Sequence, residues 1–331
     1  MITAKELARE LNLSQSTISR ILNGDRHHRV SEATRQRVLE GARLRNYQPN
    51  AIARSLRRGR TDIVGLYTYH DYDARNDFLG AVIGGLQRAC GLHGLDLLLH
   101  SALRDRETED TFASLRDGRI DGLCLHTSTD DPLLDLLRRS TLPVVAIADP
   151  LPDFASVTCD DDGGMRQLIA YLWHRGYRRF TYLAPEISLA SVDRRRGAFT
   201  DDLQRRGLSE ADRLVLRIGY EAAGDVLDDL LGEEGPRAVC CWNDRTAYNL
   251  LQACGTHGIQ APRDLAVAGF DGFLDNKLPA QQLTSVRCPW DHAAAAALEL
   301  LIRRIEAGSG QTDSETCEIR MPTDLIQGDT A

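Results

Sequence analysis

Long apolar runs are missing from this 331-residue chain. Near its start Lys5, Glu6, Arg9 and Glu10 interrupt every apolar stretch, so neither a membrane-spanning helix nor a secretion signal is expected, and the expected location is cytoplasmic. The eight cysteines, at positions 90, 124, 159, 240, 241, 254, 288 and 317, show no CxxC spacing, and most sit in apolar strand-like runs. They read as buried thiols, not as zinc ligands or disulfides. Catalytic signatures are missing as well: no GxSxG elbow, no GxxxxGK[ST] phosphate loop, no HExxH pair and no GxGxxG turn. The nine histidines do not fall into ligand spacing, and adjacent His27 and His28 sit in a basic loop that suits phosphate contact or plain solvent exposure. No catalysis, metal or cofactor is expected.

What the chain does have is a charge asymmetry. Residues 1–60 hold thirteen Lys plus Arg against five Asp plus Glu, a net of +8, in a chain whose total is −8. The remainder therefore carries −16. A basic head on an acidic body is what a phosphate-binding module fused to something else would show. With 331 residues and a 42% hydrophobic share, two or three domains with substantial cores are expected.

The head reads as short helices. In LSQSTISRILNG, Ser14 can cap the first free amides and Leu13 can staple onto Ile18. Ile18, Ile21 and Leu22 form an inward face, leaving Gln15, Ser16, Ser19 and Arg20 on or near the opposite one. Upstream, ITAKELARELN repeats the logic: Thr3 and Glu6 are spaced as a capping box, and Leu7, Ala8 and Leu11 face inward. Only Asn12 and Leu13 separate this helix from Ser14, and Asn tolerates the left-handed backbone of a sharp turn. Two short helices with a tight turn suit helix-turn-helix DNA binding, although solvated helices of an ordinary bundle share the pattern. Ser31 starts a third helix with Val38, Leu39 and Ala42 inward, ended by Pro49. Asn50 can cap the short segment AIARSL, which precedes a basic linker, RRGRTD.

From residue 62 the texture changes to apolar runs alternating with amphipathic stretches, as in IVGLY, LDLLLH, IDGLCLH and PVVAIAD. A comparable series follows Gly176, with FTYLAP, VLRIGY, AVCCWND and LAVAGFD. This is a parallel α/β pattern in two halves. Ligands gather at the carboxyl ends of such strands, where Asp149, Asn243, Asp244 and Asp271 lie. Each could equally cap a following helix.

The order TAKELARELNLSQSTISRILN, then VSEATRQRVLEGARLRNYQPNAIARSL, closely resembles the DNA-binding head of the LacI/GalR family of bacterial transcription regulators. The resemblance implies that Gln15, Ser16 and Arg20 read major-groove bases, that Thr17, Asn23 and Asn50 hold the DNA backbone, and that Leu56 wedges between base pairs from the minor groove. One departure is GDRHHR, residues 24–29, which is about two residues longer than the usual turn. The resemblance extends through the body and implies a two-lobed periplasmic-binding-protein-like α/β core behind an all-α helix-turn-helix head. It supplies Arg195, from R-x-x-[GA]-F, with Asn243, Asp271 and Asp149, as effector ligands; Tyr220 and Phe78 match positions of cleft aromatics. Arg194, Arg195 and Arg196 are consecutive, so spacing leaves the register open; Arg195 is preferred because it lies four before Phe199 and eight before Leu203. Cys288 stands where a polar cleft residue is usual.

The expected organisation is a helix-turn-helix domain at 1–48, a hinge helix and linker at 49–61, and a core at 62–331. Its lobes are about 62–160 with 290–320, and 161–289 with 321–331, with returns near Asp160 and Pro289. An Arg fork, two carboxylates and an amide suit a polyhydroxylated molecule, so the expected effector is a sugar or sugar derivative that alters affinity for a near-palindromic operator. The final residues carry no leucine heptads, so a homodimer is expected. Two other readings are an exported sugar-binding protein without a DNA role and an α/β enzyme with a regulatory head. The first has no use for the basic head, and the second lacks every signature sought.

Overall fold

The computed structural model describes residues 2–23, 30–48, 50–68, 77–100, 107–219, 223–231, 237–273, 282–308 and 317–331. It divides into two units, Met1–Asp62 and Ile63–Ala331.

In the first unit every helix begins where a side chain can take up free amides. The Thr3 hydroxyl accepts from the Glu6 amide while the Glu6 carboxylate accepts from the Thr3 amide, opening α1 (Ala4–Glu10). Ser14 caps α2 (Gln15–Leu22) through the Thr17 amide, and Ser31 caps α3 (Glu32–Leu44) through the Thr34 amide. Between α1 and α2, Asn12 takes φ 54°, the left-handed turn that lets the two helices meet. Leu7, Ala8, Ile18, Ile21, Val38 and Ala42 close a small core, with Leu13 packed against it. Gly41 sits at the close approach of α3 to Leu11, where a Cβ would stand 3.1 Å from a leucine methyl. The Arg45 guanidinium forks onto Glu10 at 3.0 and 2.7 Å, tying the end of α3 to α1. Asn50 Oδ1 accepts the Ala53 amide at the start of α4 (Ala51–Arg58).

The second unit holds two six-stranded sheets. The first contains β1 (Ile63–Thr68), β2 (Asp96–His100), β3 (Gly122–His126), β4 (Val144–Ala148), β5 (Ala155–Cys159) and β11 (Glu318–Met321), in the order β11-β5-β4-β3-β1-β2. The second contains β6 (Phe180–Pro185), β7 (Arg213–Ile218), β8 (Arg237–Cys241), β9 (Leu265–Asp271), β10 (Thr284–Arg287) and β12 (Asp324–Ile326), in the order β12-β10-β9-β8-β6-β7. All pairings are parallel except β10 with β12. Strands β3, β4, β8 and β9 are buried throughout, as expected when helices cover both faces, whereas the edge strands β2 and β7 are only partly buried.

Helices α5 (Asp77–His93), α6 (Thr108–Leu115), α7 (Leu133–Arg138) and α12 (Trp290–Ala307) go with the first sheet. Helices α8 (Asp161–His174), α9 (Ala190–Arg205), α10 (Leu227–Leu230) and α11 (Asp244–Thr256) go with the second. Gly85 lets α5 run against α12, since a Cβ would lie 2.5 Å from the Asp291 carbonyl oxygen. The chain passes between the sheets three times: from β5 to α8, from β10 to α12, and from β11 to β12. The third passage, at Pro322–Thr323, falls beside the boundary between 320 and 321 read from the sequence. It also leaves Met321 in the first sheet, one residue past the boundary drawn there. Among the described residues no helix is long and apolar enough to cross a membrane.

Candidate nucleic-acid interface and ligand cleft

On α2 the inward positions Ile18 and Ile21 are spent on the core, so the opposite face is left to solvent. Gln15, Ser16 and Arg20 are exposed there. Thr17 is half-buried, with its hydroxyl 2.8 Å from that of Ser14, and Ser16 bonds the same Ser14 hydroxyl. Asn23 closes the helix and donates to the Ser19 hydroxyl at 3.2 Å. These five therefore form one polar end and face of a helix whose other face anchors it. On α4 the Leu56 side chain is 87% exposed, an apolar group left uncovered among the described residues. Residues 24–29, with His27 and His28, lie outside the described residues.

In the second unit, residues at the carboxyl ends of strands from both sheets converge. Asp149, just after β4, accepts the Ser191 amide of α9 at 2.7 Å and faces His126 Nε2 of β3 at 3.5 Å. This ties the first lobe to the start of a helix of the second. Burial pushes the Asp149 carboxyl up, but His126 and Ser191 outweigh it and hold it below its ordinary value. Phe78, at the start of α5, is half-buried and sits edge-on to Trp290 at 4.9 Å and tilted to His126 at 5.1 Å.

Of the three consecutive arginines only Arg195 is buried in this cluster. Its Nε donates to Asp161 Oδ1 at 2.7 Å, one terminal nitrogen donates to the Trp242 carbonyl at 2.5 Å, and that nitrogen is 3.9 Å from Asp271 Oδ1. The guanidinium lies over the Phe270 ring, 3.7 Å from its centroid. Burial alone would lower the Arg195 pKa, but Asp161 and Asp271 raise it above the ordinary value, so it stays charged. Arg194 instead reaches Glu318 of β11, a second bridge between lobes, and Arg196 pairs with Asp193 near the surface. Burial pushes the Asp161 carboxyl to about 6 despite Arg195, and drives Asp271 well above its usual range despite Arg195. Asp271 also accepts from Trp290 Nε1 at 3.3 Å.

Asn243 does what the plainer reading offered: buried, it caps α11 by accepting the Thr246 amide at 2.8 Å. Next to it, Asp244 is held by Ser285 and the Phe273 amide, and burial lifts its carboxyl to about 7. Cys288 is buried, its amide donates to the Asp271 carbonyl at 3.0 Å, and its thiol meets that of Cys159. Tyr220 lies outside the described residues. Two strand ends carry backbone strain: Ala148, before Asp149, has φ 75° and Asp271 has φ 119°. Non-glycine residues adopt such angles rarely, and they gather at functional sites. Sequence reasoning missed Asp161, His126, Ser191 and Trp290. Asp161 had a signal, an acid in the run DDDGG directly after the strand that ends at Cys159.

Two family models match this chain: "Bacterial regulatory proteins, lacI family" over residues 3–50, and "Periplasmic binding protein-like domain" over residues 169–331. The chain is a member of the lacI family. This lacI-family regulator is similar to the "Ribose operon repressor" of Escherichia coli (strain K12), 29% identical over 319 residues that cover 92% of this chain and 93% of that protein. It is also similar to the "HTH-type transcriptional repressor PurR" of Vibrio atlanticus (strain LGP32), 27% identical over 340 residues that cover 100% and 98%. Among solved structures, the lac repressor dimer bound to operator and the anti-inducer ONPF shares the fold of the regulator with a TM-score of 0.85, at 18% identity and with 99% and 98% of the two chains covered. A transcriptional regulator CelR–cellobiose complex gives 0.70 at 24% identity, covering both chains fully.

Proposed function

We propose that this regulator is a homodimeric repressor that reads a near-palindromic operator through two copies of α2, and that a sugar or sugar derivative held between the lobes governs its grip. The observation that carries this reading is the division of labour on α2: an apolar face consumed by the head's core and a face of Gln15, Ser16 and Arg20 turned to solvent. Side chains of these types can hydrogen-bond base edges in the major groove. Thr17, Asn23 and Asn50 take backbone roles, and Leu56 is the apolar wedge. The relatives named as repressors support the sign of the regulation. The body supports the ligand: Asp149, Arg195 and Asp271 converge from both lobes, beside the Phe78 and Trp290 rings, in a setting suited to hydroxyls and an apolar sugar face.

A thermal-shift screen across sugars and polyols, followed by footprinting of the purified protein on its own upstream DNA with each hit, tests this directly. A hit raises the melting temperature, because it binds the folded state, and changes operator occupancy. A ligand that stabilises the protein and leaves operator affinity untouched would remove the regulatory link.

A further inference from the structure

The charge at the centre of the cleft is already balanced by the protein itself. Arg195 is the one buried arginine of the cluster, and it is committed: to Asp161 at 2.7 Å, to the Trp242 carbonyl at 2.5 Å, to the neighbourhood of Asp271 at 3.9 Å, and to the face of Phe270. The groups that converge there are Asp149, Asp161, Asp271, His126 and Arg195. Against the one permanent positive charge among them, Arg195, stand the three carboxyls of Asp149, Asp161 and Asp271. The nearby Arg194 adds nothing, because Glu318 holds it. Among the described residues that converge there, no surplus positive charge is left for an anion.

The unused hydrogen-bonding capacity points the same way. Asp161 Oδ2 is buried and accepts no hydrogen bond among the described residues. An acceptor asks for a donor, and a phosphate or carboxylate ionised at neutral pH brings mainly acceptors. Burying an anion beside a carboxylate whose one counter-charge is already shared is costly in a low-dielectric site. A hydroxyl or an amine meets no such cost.

We propose that Asp161 is the specificity-determining residue of the cleft: by neutralising Arg195 it closes the site to anionic molecules, so the effector bears no phosphate or carboxylate. This rests on the reading of the cleft as an effector site, and the same fork explains how the limit could be lifted. Without the Asp161 charge, Arg195 offers the bidentate geometry that anions seek.

The test is a thermal-shift and calorimetric panel on the full-length protein near pH 8, where Asp161 is ionised. Each uncharged sugar is matched with its amino, phosphorylated and uronic-acid forms. Hits are expected only among the uncharged and amino forms, and adding a phosphate or carboxylate to a hit should weaken it by at least about tenfold, equivalent to about 1.4 kcal/mol. In Asp161→Asn the anionic form of the same hit should gain affinity relative to its parent. An anionic form that binds wild-type protein more tightly than its parent overturns the assignment, and the wild-type panel decides this even if the variant is too unstable to use. If no member of any set binds, the effector reading itself falls, and this inference with it; hits that ignore charge defeat only the role of Asp161.

Discussion

Arg20 and Arg195 show how the same residue type serves opposite ends. Arg20 is exposed on α2 and can meet a base edge, whereas Arg195 is buried and spent on its own chain. Arg20→Ala is therefore expected to weaken binding to the cognate operator by about 1–3 kcal/mol more than to random DNA, read from paired mobility-shift titrations at fixed salt. Equal loss on both would show that Arg20 touches only phosphate. For Arg195, removal strands Asp161 and Asp271 without their counter-charge. Arg195→Met should cost about 3–5 kcal/mol of stability, with a larger loss near pH 8 than near pH 5, because acid neutralises the stranded carboxylates. Denaturant unfolding at the two pH values measures this. The wild-type protein carries a related signature. Asp161 at about 6 and Asp244 at about 7 sit above the ordinary 3.8, so across that interval the folded chain holds protons that the unfolded chain has released. Their contribution is most favourable below pH 3.8 and declines as pH rises through 6 and 7, so the melting temperature of the ligand-free protein should fall across that window.

At the scale of elements, local chemistry was legible and long-range pairing was not. The caps at Thr3, Ser14, Ser31 and Asn50 each act within three residues, so spacing alone exposes them, and the left-handed Asn12 follows from the shortness of its turn. The strand ends that carry Asp149 and Asp271 were readable because fully covered parallel strands are continuous apolar runs. Asp161 was not, because its partner Arg195 lies 34 positions away and only the packing of α8 on α9 joins them. The Ser191 amide offers no side-chain signal at all. Two substitutions probe the head's elements. Ser14→Ala removes the acceptor for the Thr17 amide and should cost about 1 kcal/mol in the head's unfolding transition. Leu56→Ala should reduce DNA bending, read by fluorescence transfer between labelled operator ends, without unfolding the head.

For the whole molecule, regulation requires that the effector distinguish two arrangements of the lobes. Among the described residues, bridges between the lobes in this arrangement include the Asp149 carboxylate on the Ser191 amide, Arg194 on Glu318, Arg320 on Asp162 and Trp290 on Asp271. Burial pushes the Glu318 carboxyl up, yet Arg194, Thr158 and Arg320 outweigh it and hold it at about 2. Glu318→Gln should loosen the Arg194 bridge and speed hydrogen exchange at the Ser191 amide; unchanged exchange would mean that the lobes stay joined without that bridge. The central claim joins the basic head to the acidic body. Its most direct measurement is genomic-fragment capture by purified full-length protein, with and without the metabolite fraction of cell extract. The expected result is enrichment of a few fragments bearing a near-palindrome, with the enrichment changed by the metabolites. Uniform recovery of fragments under both conditions would contradict it.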